Sequence, residues 1–476
     1  MLFSSMIFLW GFLPAVLLLY FILPRCLRNL LLLAASLFFY AWGEPVYILL
    51  MFGSIVLNYC GGLAVHATQK PFWRKFWVGA DAAGNLALLG FFKYAGFILN
   101  TTASLLPESL QGAFYAHLPS WVWVALPIGI SFYTFQAMSY VVDVYRGDCE
   151  VQKNPFRLAL YISFFPQLIA GPIVKYHDIH AQLTDRTVTL QDFAYGVRRF
   201  LFGLAKKVLI ANQLALAADG IFRVDSHLVS TPMAWLGAIC YMFQIYYDFS
   251  GYSDMAIGLG RMFGFRFLEN FNYPYLSGSI TEFWRRWHIS LSTWFKEYLY
   301  FPLGGSRRGA ARTLFNLAIV FLATGIWHGA AWTFVFWGIY HGAFILLERS
   351  FFKEKVLDRL PRTVSQLYCL GAVFVGWIFF RADDLHAGFR IVRALVVPRG
   401  SPFRIEAFFT PALGVLLAVA LILCGPLQSL FPKLRDALFD ETRTRVWEPF
   451  ALTALLALCV ITLVSGSYNP FIYFRF

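Results

Sequence analysis

Charge is scarce in this chain of 476 residues. Only 14% of them are Asp, Glu, Lys or Arg, against roughly a quarter in ordinary soluble domains. Hydrophobic residues make up 59%, and the mean hydropathy is +0.61. A water-soluble globule of this size has nowhere to hide that much apolar surface, so that class is excluded. Intrinsic disorder is excluded too, because it needs low hydrophobicity and high charge. Long polar stretches are equally rare. The longest, Lys433 to Arg445, is short and mostly charged, and no soluble domain, repeat or low-complexity linker is visible. Paired cysteine motifs are missing as well. Cys26, Cys60, Cys149, Cys240, Cys369, Cys424 and Cys459 form no CxxC or other ligand-like spacing, and most lie inside apolar runs. They read as small core residues, so neither a disulfide framework nor a metal site is expected. HExxH, GxSxG and Walker loops are absent, which leaves the common hydrolase and nucleotide-binding signatures without support.

What remains is a polytopic membrane protein. The net charge of +13 then reads as basic cytoplasmic loops beside anionic membrane lipid, with no nucleic acid as partner. The stretch Leu2 to Leu23 is apolar, is interrupted by Pro14, and has its first basic residues, Arg25 and Arg28, behind it. A secretory signal would put them in front. The stretch reads as a retained first helix with its N-terminus outside the cytoplasm. A dozen further apolar runs follow. Several, such as Trp121–Val144, are long enough to span. Others, such as Leu314–Trp327, fall short of the ~20 residues a spanning helix needs, which suggests half-helices or re-entrant segments. Residues 1–476 are expected to form one membrane domain. Its final helix lies within 446–476 and leaves an extracytoplasmic FIYFRF tail.

Ionisable residues at membrane depth are functional candidates by default. Asp81, Lys93 and Asp143 each stand alone in an apolar run, and interhelical pairing or snorkelling explains them as well as function does. Tyr246–Gly309 is different. It mixes Asp248, Asp254, Arg261, Glu282, Arg285, Arg286 and His288 with many aromatics. It reads as amphipathic or re-entrant helices lining a cavity. Arg285 and Arg286, with Arg307 and Arg308 beyond, suit a nucleotide phosphate or, equally, lipid phosphate at the interface. Thr313–Ser350 carries His328 and His341 in an almost uncharged run. A histidine there can exchange a proton at lower desolvation cost than a carboxylate, or simply bond to a neighbouring helix. On one continuous helix the two would face nearly opposite sides, about 20 Å apart, and would not share a metal.

Long motifs then carry a family resemblance. ITEFWRRWHISLSTWFKEYLY (Ile280–Tyr300) and IWHGAAWTFVFWGIYHG (Ile326–Gly342) resemble the membrane-bound O-acyltransferases. So do LPIGISFYTFQAMSYVVDVYRG (Leu126–Gly147), FFPQLIAGPI (Phe164–Ile173), YYDFSGYSDMAIGLG (Tyr246–Gly260), GFRFLENFNYPY (Gly264–Tyr275) and NPFIYFRF (Asn469–Phe476). The branch is the bacterial polysaccharide O-acetylation proteins, and the likeness spans nearly the whole chain. It implies an all-α fold, a ring of transmembrane and re-entrant helices around a central funnel. It implies that the histidine of WHG, His328, is catalytic and that the histidine of RRWH, His288, is its second polar residue.

Elementary chemistry fits those roles. Acyl transfer from a thioester needs a base for the acceptor hydroxyl and donors for the oxyanion. A buried imidazole at His328 suits the first, and His288 can orient or polarise the carbonyl. The implied donor is acetyl-CoA, with no cofactor bound permanently, and Arg285, Arg286, Arg307 and Arg308 are candidates for its phosphates. The implied setting is the bacterial inner membrane with both termini extracytoplasmic. The implied partner is an extracytoplasmic SGNH-type acetyltransferase or acceptor protein, since the chain has no carbohydrate-binding domain of its own. Tyr473, in the FIYFRF tail, is the candidate to hold acetyl in transit; the alternative is that Phe471, Phe474 and Phe476 only anchor the tail at the interface. A transporter of polysaccharide precursors is the competing class, but the inverted repeats usual in transporters are not apparent.

Overall fold

A computed structural model describes residues 1–119, 126–433, 436, 440, 446–466 and 468–472. Among them every regular element is a helix. Seven helices are long and apolar enough to cross a membrane: Arg25–Gly43, Ile48–Ala67, Pro71–Ser104, Leu190–Phe222, Ala310–His328, Arg362–Arg381 and Glu448–Ser465. The first apolar stretch forms the shorter helix Phe8–Ile22. Residues 121–125 of the apolar run Trp121–Val144, most of Lys433–Arg445 and Tyr473, Phe474 and Phe476 lie outside the described residues. The chain divides into two compact units. One holds residues 16–186 with Met1 and 329–331; the other holds 2–15, 187–328 and 332–476.

In the first unit all three isolated polar residues have partners: one helical turn away for Asp81, distant in sequence for Lys93 and Asp143. Asn85 bonds the Asp81 carboxylate at 3.2 Å and exchanges reciprocal amide bonds with Asn58 at 3.1 Å. That ties Ile48–Ala67 to Pro71–Leu89 by the interhelical pairing that makes buried polar groups tolerable. Lys93 donates to Ser131 at 3.2 Å. Asp143 accepts from both the backbone N–H of His177, at 3.2 Å, and its Nδ1, at 2.9 Å. Asp178 lies 3.3 Å from Nε2 of the same ring.

Bonds to Asp143, and next to Asp178, push the His177 imidazole up to about 10, against the smaller opposing effect of burial. An unfolded histidine titrates near ~6.5. A group whose folded value is raised contributes stability that is complete below the unfolded value and is lost as pH climbs through the folded one. The melting temperature of purified protein is therefore expected to fall between about pH 6.5 and 10. His177→Gln is expected to flatten that slope and leave the protein less stable at pH 6.

The second unit is built on one long helix, Thr231–Met262, buried almost all round. It starts with proline in its first turn, where the missing N–H costs nothing. Its partner, Leu190–Ala205, starts with a Thr189–Asp192 capping box. The two meet backbone to backbone. A Cβ on Gly203 would sit 2.4 Å from the carbonyl oxygen of Gly251, and one on Gly258 would sit 2.5 Å from that of Gly196. Only glycine permits this approach. Charge inside the pair is neutralised across it: Asp254 with Arg199 and Lys206, each at 2.6 Å, and Asp248 with Lys207 at 2.6 Å.

This corrects one expectation. Tyr246–Met262 is not the start of an amphipathic or re-entrant region but the second half of a regular buried helix. Its carboxylates are acceptable there because cations on Leu190–Ala205 and the turn beyond face them. The irregular polar region begins only at Phe263.

Candidate active site

Ala310–His328 ends at His328, and residues 329–331 are not helical before Trp332–Leu347 begins. The premise of one continuous helix through both histidines therefore fails: GAA breaks it. The two helices pack on each other through Gly325 and Gly338. A Cβ on either would come within 2.6 Å of a carbonyl oxygen of the other helix. In this packing the Trp337 ring centre lies 5.0 Å from His328 and 4.9 Å from His341. The two histidines thus share one indole, and Trp284 also packs on His341 at 5.4 Å. His328 is buried, with Trp327 and Phe380 against it.

Two short helices, Ile280–Arg286 and Ile289–Phe295, bring up the second histidine. Ser279 caps the first, accepting the Glu282 N–H at 3.0 Å. The buried Glu348 carboxylate accepts the Ile280 and Thr281 N–H groups at 2.6 and 2.9 Å and the Thr281 hydroxyl at 2.6 Å. This carboxylate at a helix N-terminus satisfies otherwise orphaned donors. His288 sits at the joint between the helices in a left-handed conformation, φ 45° and ψ 54°. That conformation is costly for a non-glycine residue and persists only where the surroundings enforce it. The turn places the fully buried His288 ring 6.4 Å from that of His328, centre to centre.

The same unit holds a cavity of about 630 Å³; neither histidine lines it, but Trp284 and Leu291 of the two short helices do. Its lining includes Trp284, Phe321 and Thr324, the cations Arg285, Lys296, Arg349 and Lys353, and the carboxylates Glu348 and Glu354. Thr324 is one helical turn before His328. Of the four arginines singled out in the sequence, Arg285 alone lines this cavity. Arg286 is held by Glu282 at 2.9 Å. Glu282 is opposed by burial, but Arg362 and the Gly278 N–H hold its carboxyl below the usual range. Arg307 and Arg308 are exposed on the turn that follows.

Residues 468–472 pack within this unit. Tyr468 donates to Asp219, which pairs with Arg381 at 2.6 Å. Asn469 bonds the Ser4 hydroxyl at 2.9 Å and accepts from Asn212 at 3.0 Å. Lys207 donates to the Pro470 carbonyl, and Asp248 accepts the Ile472 N–H at 2.9 Å. Phe471 is buried against Tyr252, 4.7 Å between ring centres. Tyr473 would follow directly.

A family model for the membrane-bound O-acyltransferases matches residues 152–380. The "Probable alginate O-acetylase AlgI" of Pseudomonas putida is 41% identical over the full length of both chains. The chain belongs to the membrane-bound O-acyltransferase family. The peptidoglycan O-acetyltransferase of Helicobacter pylori is 39% identical over 83% of this chain and 80% of its own. The teichoic acid D-alanyltransferase of Bacillus subtilis is 28% identical over 48% of this chain and 60% of its own. As a membrane-bound O-acyltransferase the protein is a multi-pass, all-helical membrane enzyme of acyl transfer.

Sequence reasoning missed three contributors to the site. Glu348 and Asn270 were not singled out from the sequence. Lys207 carried a usable signal, since a lysine pair inside the run Phe200–Ala218 needs partners.

Proposed function

We propose that this O-acyltransferase takes acetyl from acetyl-CoA on the cytoplasmic side of a bacterial inner membrane and hands it on for O-acetylation of an extracytoplasmic polysaccharide. The observation that carries the reading is the pair of buried imidazoles, His288 and His328, with ring centres 6.4 Å apart. In the transfer, a hydroxyl oxygen attacks the thioester carbonyl carbon and gives its proton to His328. The carbon–oxygen bond forms, the carbon–sulfur bond breaks, and the departing thiolate takes the proton. His288 orients the reacting groups. Arg285, with Lys296, Arg349 and Lys353, offers charge to the donor's phosphates. Arg286, Arg307 and Arg308 contribute at most to the surrounding field. The names of the relatives support acetyl and an envelope polymer as the traffic. Both termini are taken to face outward, where an SGNH-type partner completes delivery. The acetyl passes through Tyr473, the next residue in sequence after the seated residues 468–472.

Mass spectrometry of surface glycans tests this. A deletion strain is expected to make a normal amount of polymer without acetyl, and loss of the polymer itself would point to a transporter instead. Tyr473→Phe is expected to abolish polymer acetylation in folded protein; full acetylation would remove the tyrosine from the route. Arg285→Glu is expected to raise KM for the donor by about tenfold, the scale of one charge-assisted bond, with kcat little changed.

A further inference from the structure

Asn270 is fully buried beneath the joint between the two short helices. Its Oδ1 receives the backbone N–H of Ser290 at 3.1 Å. A backbone N–H can only donate, so this contact settles which end of the amide is oxygen. The nitrogen end agrees, donating to the Ser253 hydroxyl at 3.0 Å. Nδ1 of His288 lies 3.2 Å from the same Oδ1. It must therefore carry a hydrogen, or two lone pairs would face each other in a buried site. The Ser290 hydroxyl donates to Oδ1 at 2.9 Å and stands 3.5 Å from Nδ1, so it too turns an oxygen lone pair toward the ring. In a neutral imidazole a hydrogen on Nδ1 leaves the lone pair on Nε2.

We infer that Asn270 is a positioning residue that fixes His288 as the Nδ1–H tautomer, so that His288 serves acyl transfer as a hydrogen-bond acceptor through Nε2 and not as a donor to the carbonyl oxygen. The backbone holds the same register. Ile289 N–H donates to the Asn270 carbonyl at 3.0 Å and Asn272 N–H to the Arg286 carbonyl at 2.9 Å. These bonds close on both sides of the left-handed His288 and leave its ring a single orientation. Of the two roles the sequence leaves open for His288, orienting fits this tautomer. Polarising a carbonyl would require the imidazolium. His328 remains the group that takes the hydroxyl proton, and His288 orients the reacting groups through its Nε2 lone pair. The tautomer itself is independent of the acetylation reading; its catalytic consequence rests on that reading.

Solid-state NMR of the full-length protein in lipid bilayers, labelled with ¹⁵N-histidine, reads the tautomer directly. His288 signals are identified by their loss in His288→Gln. A pyrrole-type Nδ1 with a pyridine-type Nε2 is expected; the reverse pattern overturns the inference. Asn270→Asp puts a carboxylate where the amide oxygen was, which favours the imidazolium. The acid limb of the kcat profile is expected to move up by about one pH unit or more, with the melting temperature held. An unmoved limb in folded, active Asn270→Asp also overturns it. The wild-type spectrum decides the tautomer whether or not the variant folds. Wild-type protein that shows the Nδ1–H tautomer but transfers no acetyl would sink the proposed function and leave the Asn270 assignment standing.

Discussion

His328→Ala is expected to lower acyl transfer by about 10²–10⁴-fold, the range that a positioned general base contributes. The loss should fall on kcat, because proton acceptance is needed only as the hydroxyl attacks. His328→Gln, which keeps most of the packing against Trp337 and Phe380, should be nearly as inactive while melting close to wild type. His341 is the internal control. Its ring is stacked among Trp284, Trp337 and Phe283, one tryptophan removed from the chemistry. His341→Ala should cost stability by opening a cavity and leave kcat per folded molecule largely intact. Turnover of purified variants in lipid nanodiscs, set beside their melting curves, separates the two. Equal kcat losses at both positions would mean that packing, not proton transfer, is being read.

The second large effect concerns the seat of the tail. Lys207 and Asp248 are each 2% exposed and 2.6 Å apart. Lys207→Met leaves the Asp248 carboxylate buried without its cation, which costs on the order of 3–5 kcal/mol. Replacing both partners is far milder, since a well-packed apolar pair often matches a buried ion pair. Lys207→Met/Asp248→Leu is therefore expected to recover most of the lost melting temperature. It should not recover acyl transfer, because the bond to Pro470 is gone in both variants and the double variant also loses the bond to Ile472. A double variant that regained activity with stability would show that the seat is dispensable.

How much of this was legible in the sequence depends on the distance over which each feature is decided. The membrane class and most helices follow from local hydropathy. The histidines of WHG and RRWH stood out as imidazoles in motifs with a family likeness, and the structure brings their rings together. The errors have one physical origin. Asp248 and Asp254 seemed too costly for a regular buried helix, because their cations sit on another helix. The wide separation of His328 and His341 held only on the condition of one continuous helix; the helix stops at His328 and the next one folds back on it through Gly325 and Gly338. Asn270 gave no signal at all. Its importance comes from Ser253, His288 and Ser290 converging on one amide, and no local pattern encodes that convergence.

The bond between Ser4 and Asn469 joins positions separated by 465 residues. It sits in the unit that also holds both histidines. A ribosome adding about 5–20 residues per second therefore exposes Ser4 tens of seconds before its partner exists. From the synthesis of Asp248 onward, roughly half of that interval, the polar seat formed by Asn212, Asp219 and Asp248 must be kept in a membrane without residues 468–472. Completion of this unit is consequently a late event in biogenesis. A chain without residues 468–472 would keep the seven spans found among the described residues and have no seated tail.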